Sequence, residues 1–323
     1  MEQTIQPLYT ILGANGVIAN ETAKHLVANN HRVRLVSRHP KSIHGITDLV
    51  AADITNEADT LRAVQGADVV LLCAGLKYDI KVWSTAWPAI MDNVIRACKA
   101  TGAKLLFFDN VYAYGLVEGQ MLENTPYNPA SKKGEVRAKI ATQLMEEVKA
   151  GNITATIARA ADFYGPHANQ TGFLNLMIME RFKKKSAAMW IGRDDMPHSY
   201  TYTPDAGHGM YLLSQQADSW NQVWHLPTAA PAPDGKAYVQ LFADAMGVKA
   251  KHFNLGKFML GLTGLFDTTV KEIVEMLYQN NYPYHFNSGK FENFSTTRQP
   301  ATSKGFGIRW QRKNRIVYKF CRK

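Results

Sequence analysis

Gly13, Gly16 and Ala19 stand at three-residue intervals in GANGVIANETAKHL, directly after the apolar run LYTIL. This G-x-x-G-x-x-A spacing joins a strand to a helix. Glycine is needed where the backbone turns tightly and must lie against a pyrophosphate, because a Cβ would collide with the ligand. The helix that follows offers the N–H groups of its first turn, Val17 and Ile18 among them, and the positive end of its dipole to phosphate oxygens. Asn15 lies inside the bend and is counted with the binding residues, and Ala19 is small enough for close helix–strand packing.

A second group decides which dinucleotide such a bend would take. An Asp or Glu at the end of the second strand would hold a ribose 2′-hydroxyl. This chain has VSRHPK there instead, with Ser37 and Arg38 at the strand end and Lys41 close behind. A guanidinium beside a hydroxyl suits a 2′-phosphate, which a carboxylate would repel. The expectation is NADP(H), favoured over NAD(H). A third group is less telling by itself: TPYNPASKKGEVRAKIATQL places Lys132, Lys133 and Arg137 near the start of a helix. Taken as residue types alone, they read as a solvated helix face beside Glu135.

The elements that would position these groups are visible in the first half. The runs 8–12, 32–37, 48–53, 68–75, 104–110 and 154–160 are near-continuously apolar, as strands buried on both faces are. Between them lie helix candidates at 17–28, 57–65, 87–101 and 130–150, and in 87–101 Ile90, Val94, Ile95 and Cys98 recur at helical spacing. Alternation of this kind predicts an α/β fold with a parallel sheet covered by helices, a doubly wound Rossmann-type sheet given the glycine bend. Beyond Gly165 the pattern loosens. A helix is expected at 174–185, a strand then a helix in HSYTYTPDAGHGMYLLSQ, a strand in WNQVWHLPT, and helices at 235–247 and 268–279.

Composition narrows the class of protein. The chain has 323 residues, 46% of them hydrophobic and 20% charged, enough for a large core. Its three cysteines (Cys73, Cys98 and Cys321) match no metal spacing and are too few for a disulfide framework, so they read as reduced thiols. With no visible secretory signal and no apolar run of about 20 residues, a cytoplasmic protein without a membrane segment is expected. The formal charge of +10 comes from the end of the chain: nine basic residues and no acidic one follow Glu292, leaving a body of 28 basic against 27 acidic residues. No specific nucleic-acid partner is expected, and the segment 296–323 reads as a poorly ordered basic tail.

On these and further landmarks the chain resembles the extended short-chain dehydrogenase/reductase superfamily, in its NAD-dependent epimerase/dehydratase-like branch. The landmarks are GANGVIA at 13–19, AADIT with Asp53, CAG at 73–75, VYAYG at 111–115 and RAADFYGP at 159–166, and the resemblance spans about residues 7–290. It implies that Asp53 and Ile54 lie near the adenine, that Cys73, Ala74 and Gly75 pass behind the cofactor, and that a small C-terminal lobe receives a small-molecule substrate. The implied division is a dinucleotide domain at 1–165 with a returning segment at 198–228, and a substrate lobe from 166–197 and 229–295. A homodimer through the 87–101 and 130–150 helices is also implied.

The departures define the expected chemistry. Family catalysis uses a Ser or Thr, then a Tyr-x-x-x-Lys pair. Matching NPASKKGEVR and DNVYAYG to those segments puts Lys133 on the tyrosine, Arg137 on the lysine and Asn110 on the serine. Lys133 would then be the proton donor or acceptor, Arg137 a partner for ribose hydroxyls or a carboxylate, and Asn110 and Tyr112 would orient substrate oxygens. Tyr112 and Tyr114 are reserve acids; the resemblance makes Tyr114 a packing or substrate-wall residue, and Tyr164 is expected at the cleft wall. His167, His198 and His208 lack metal-ligand spacing and read as surface or packing residues. Two readings follow: an NADP(H)-dependent oxidoreductase acting on a small carbonyl or activated unsaturated compound, with an epimerase/dehydratase as its enzymatic variant, and a non-catalytic NADP(H)-binding sensor.

Overall fold

The computed structural model describes residues 6–256 and 272–296. The expected basic tail lies outside the described residues but for Thr296, and the expected 268–279 helix lies partly outside them.

In chain order the first half runs β1 (Leu8–Leu12), α1 (Val17–Ala28), β2 (Arg32–Ser37), β3 (Asp48–Ala51), α2 (Glu57–Val64), β4 (Val69–Leu72), α3 (Ile80–Thr101) and β5 (Lys104–Asp109). A single 3₁₀ turn (Tyr112–Tyr114) follows, then β6 (Gln120–Met121), α4 (Lys132–Lys149), β7 (Ala155–Arg159) and β8 (Asp162–Tyr164). The remainder is α5 (Glu180–Lys183), β9 (Ala188–Ile191), β10 (Tyr200–Tyr202), α6 (Thr203–Gln215), β11 (Val223–His225), α7 (Gly235–Met246) and β12 (His252–Leu255). After the undescribed stretch come α8 (Tyr278–Asn281), β13 (His285–Phe286) and α9 (Gly289–Thr296).

Seven strands form one sheet in the order β11-β7-β5-β4-β1-β2-β3, parallel as expected for strands joined by helical crossovers. The apolar runs are buried along their whole length in β1, β4 and β7, which explains why they show no alternation. The order reverses beside β1, with β2 and β3 on one side and β4 on the other. Such a switch point opens a crevice at the carboxyl ends of the strands.

By contacts the chain forms two compact units. Of the described residues, the first comprises 6–110, 135–159 and 204–224, the second 111–134, 160–203, 225–256 and 272–296. Ile11, Leu12, Leu35, Leu71, Leu106 and Ile157 are among the buried residues of the first, and the expected stripe Ile90, Val94, Ile95 and Cys98 is buried on α3. That helix begins two turns earlier than its pattern suggested. Asp79 caps it by accepting from the Lys81 N–H at 2.9 Å, and Pro88 lies inside it. The core of the second unit is aromatic and aliphatic: Trp190, Tyr200, Phe242, Leu174, Ile178 and Val239. Gly235 lies so close beneath Trp190 that a Cβ there would fall 2.5 Å from Cε2. The helix expected at 174–185 is divided into a wide π-type turn at Asn175–Met179 and the short α5.

Candidate functional site

The bend after β1 lies in the first unit and is built by backbone. Gly13 has φ +97, and a Cβ on it would stand 2.5 Å from the Ala74 Cα, so only glycine fits where β1 and β4 end side by side. The N–H groups of Gly13 and Ala14 both donate to the Val36 carbonyl, at 3.0 and 2.9 Å, which pins the bend to the end of β2. Gly16 is the N-cap of α1 and makes no side-chain cap bond. The N–H groups of that first turn, Val17 and Ile18 included, are the kind a bound anion satisfies.

Asn15 ties this bend to the residues after β2. With φ +73, its amide donates to the His39 carbonyl at 3.0 Å and its Oδ1 accepts from the Lys41 N–H at 3.1 Å; Ser37 Oγ is 3.5 Å from Nδ2. Asn15 is therefore a brace between the glycine bend and the Ser37–Lys41 loop. Arg38 is exposed at that loop, and its charge is felt by Asp53 at the end of β3. Hydrogen bonds from the Thr55 N–H and hydroxyl chiefly hold the Asp53 carboxyl below its usual range, with Arg38 adding to them. Ile54, half-buried, accepts through its carbonyl from Thr60 Oγ1 and Asn93 Nδ2. Burial pushes the Cys73 thiol up to about 12, so it acts as an apolar wall, and Gly75 is open to solvent. The structure thus brings Gly13, Asn15, Gly16, Ser37, Arg38, Asp53 and Ala74 to the carboxyl ends of β1 to β4.

Arg137, also in the first unit, is 3% exposed. Its Nε donates to Asp109 Oδ1 at 2.7 Å and its Nη2 to the same oxygen; its guanidinium carbon lies 4.2 Å from the centre of the Trp87 ring and 5.0 Å from that of Phe107. The other oxygen of Asp109 accepts from Arg159, Nη2 at 2.8 Å and Nε at 3.2 Å. Burial alone would raise the Asp109 carboxyl, but the two guanidinium charges outweigh it and hold the group below its usual range. Asn110 follows, half-buried, its N–H also turned to Asp109. The sequence reading did not single out Asp109. A signal existed: KLLFFD and ATIAR are apolar runs that end in opposite charges, and the β5·β7 register sets Asp109 opposite Arg159.

In the second unit, the start of α4 is crowded against the turn that carries Tyr112. A Cβ on Gly134 would be 2.6 Å from the Tyr112 carbonyl oxygen, and one on Gly115 would overlap the Asn128 carbonyl oxygen. Ser131 caps the helix by accepting from the Gly134 N–H at 3.0 Å. Lys133 is fully buried, in contrast to its exposed neighbour Lys132. Its Nζ donates to the Glu272 carboxylate and, at 3.1 Å, to Glu275 Oε1. Neither glutamate was singled out in the sequence: they lie 139 and 142 residues away, within the stretch expected only as the 268–279 helix. Tyr112 is half-buried. Tyr114 is buried, and its hydroxyl lies 2.7 Å from His225 Nε2, while His225 Nδ1 donates to the Asn287 carbonyl at 2.8 Å. Because the Asn287 carbonyl can only accept, Nδ1 donates to it, and a neutral imidazole then accepts the Tyr114 hydroxyl at Nε2.

Of the other histidines singled out, His198 and His208 pack against neighbouring rings, whereas His167 is exposed. His198 stacks on Tyr284 with ring centres 4.3 Å apart and sets Nε2 3.1 Å from Asp162, and His208 lies 4.8 Å from His25. Tyr164 packs beside Tyr202. Among the described residues no group of three His, Cys, Asp or Glu side chains is arranged to hold a metal, and no helix is long and apolar enough to cross a membrane.

A parallel seven-stranded sheet with a glycine bend at its switch point defines a Rossmann-type fold. The chain belongs to the NAD dependent epimerase/dehydratase family, whose sequence model matches residues 9–225, well over half of its length. Solved structures of similar fold include the UDP-glucose 4-epimerase of Thermus thermophilus in complex with NAD, at a TM-score of 0.74 and 15% identity over 98% of this chain and 99% of that one. The dTDP-glucose 4,6-dehydratase DesIV of Streptomyces venezuelae gives 0.72 and 16% over 98% and 100%, and UDP-glucuronic acid 4-epimerase of Bacillus cereus 0.73 and 16% over 98% of each. Among curated proteins, an uncharacterised protein of Mycobacterium tuberculosis is 33% identical over 102 residues, which are 30% of this chain but 11% of that protein.

Proposed function

We propose that this chain is an NADP(H)-dependent oxidoreductase of an atypical extended short-chain type, acting on a small carbonyl or activated unsaturated compound. The observation that carries the reading is the Gly13 cradle, where a side chain would strike Ala74 and where Asn15 braces the loop bearing Ser37 and Arg38. These residues fit a dinucleotide: the first-turn N–H groups of α1 would take the diphosphate, Arg38 and Ser37 the 2′-phosphate, and Asp53 and Ile54 would flank the adenosine. When bound, the nicotinamide supplies or accepts the hydride. Lys133 would give or take the proton at the substrate oxygen, which Asn110 and Tyr112 would orient. Arg137 would add rigidity and a positive field, since two of its donors go to Asp109.

The family and the sugar-nucleotide enzymes of similar fold favour a second reading, an epimerase or dehydratase in which the same hydride chemistry is transient. A soluble cytoplasmic homodimer paired through α3 and α4 is part of the proposal; a groove between them is lined by Pro88, Ala89, Ala138 and Thr142. The test is oxidation of NADPH with a panel of carbonyl compounds, enones and nucleotide sugars. Turnover that falls about 10²–10⁴-fold in Lys133→Met is the expected result. Tight cofactor binding without turnover across the panel would leave a nucleotide sensor instead.

A further inference from the structure

Lys133 is sealed from solvent, and an uncompensated ammonium in such a place costs several kcal/mol. Its charge is met by two carboxylates that stand three residues apart in a single segment, Glu272 and Glu275. Glu275 does more than neutralise. Its Oε1 is 3.1 Å from Nζ and 3.5 Å from the Lys133 backbone N–H, so one carboxylate oxygen reaches both ends of the residue at the first turn of α4. The Glu272 carbonyl lies 3.5 Å from the same ammonium. A lysine side chain has four rotatable bonds and is ordinarily a mobile point charge. Here it is fixed from one side by a fork of oxygens. The glutamates differ from the lysine in one further respect: their side chains are 15% and 28% exposed, against 0% for Lys133. They are the part of the cluster that meets water.

We propose that Glu272 and Glu275 are positioning residues for Lys133, which orient its ammonium and connect it to solvent so that a proton given to substrate is replaced through a carboxylate. This rests on the reading of Lys133 as the proton-handling residue. The pair acts only through the lysine and needs no contact with substrate.

The experiment compares the full chain with Lys133→Met, Glu275→Gln and the Glu272→Gln/Glu275→Gln double variant. NADPH oxidation is read over the same substrate panel. In parallel, each protein receives a brief pulse of acetic anhydride, and acetylation of Lys133 is measured by peptide mass spectrometry against its exposed neighbour Lys132. The expected result is wild-type Lys133 acetylated at least about tenfold less than Lys132, with the difference largely erased in the double variant. Turnover in the double variant should fall about tenfold or more in kcat with KM changed less than about threefold. Should the double variant fail to fold, Glu275→Gln, at the more exposed carboxylate, is expected to show the same changes at smaller amplitude. Full turnover in Lys133→Met, or none in the wild type, would remove the underlying reading and this proposal with it. A dead Lys133→Met beside Glu→Gln variants of wild-type kcat would leave that reading intact and overturn the positioning role, as would equal acetylation of Lys132 and Lys133 in the wild type.

Discussion

Lys133 and Arg137 stand four residues apart in α4, and each belongs to a buried charge cluster built as the reverse of the other. Around Asp109, one carboxylate is shared by two guanidinium groups, and all three residues are at most 3% exposed. Around Lys133, one ammonium is shared by two carboxylates that keep contact with water. The first is enclosed by Trp87, Phe107 and the ends of β5 and β7, and it has the character of a fastening. The second is closed at its centre and open at its rim, as the proposed proton replacement requires. Position along the chain is nearly the same; the exposure of the counter-ions separates the two clusters.

The contrast can be broken most forcefully at its closed end. Asp109→Ala strands two buried guanidinium groups, and equilibrium denaturation is expected to show a loss of about 3–5 kcal/mol. Glu275→Gln, at the rim of the other cluster, should cost less than about 1 kcal/mol. Equal losses would erase the distinction. Next in size is Gly13→Ala, which forces an L side chain to φ +97 and into the Ala74 backbone. A loss of about 2 kcal/mol is expected, together with loss of dinucleotide binding in a fluorescence titration.

A carboxylate without a cation sharpens the comparison further. Asp205, in the first turn of α6, has no ion pair among the described residues, and burial raises it to about 7, opposite in direction to Asp109. The folded chain keeps this proton up to about 7 while the unfolded chain releases it near 4, so stability falls as pH rises between those values and is level above them. Asp205→Asn should remove that slope and stabilise the protein at pH 7.5 by about 1–2 kcal/mol, allowing for the partial exposure of the residue. Asp109 works the other way: its contribution is present above about pH 4 and is lost as acid protonates it. Urea titrations between about pH 2 and pH 8 separate the two, Asp109 showing below about pH 4 and Asp205 above it.

What was legible in the sequence follows the same physics. Gly13, Gly16, Ser37 and Arg38 are recognisable because a backbone bend and a strand end are local, set by residues a few positions apart. The sheet was legible because strands such as β1 and β7 are apolar on both faces. Lys133 carried a local signal that pointed the wrong way: two adjacent lysines at a helix start look solvated, and Lys132 is, whereas Lys133 is buried by partners from residues 272–275. Pairings that span well over a hundred residues leave no periodicity. Asp109 and Arg159 are intermediate, since each ends a readable strand and only the sheet order makes them neighbours. The two added turns of α3 were obscured by Pro88, which sits inside a helix whose start is fixed by the Asp79 cap.

The central claim is that the bend at Gly13 holds a dinucleotide and that Arg38 recognises its 2′-phosphate. Fluorescence titration of the wild type and Arg38→Ala with NADPH and with NADH tests it most directly. The account predicts NADPH binding at least about tenfold tighter than NADH in the wild type, and a preference that collapses in Arg38→Ala through loss of NADPH affinity alone. Equal affinities in the wild type, or a preference untouched by the substitution, would contradict it.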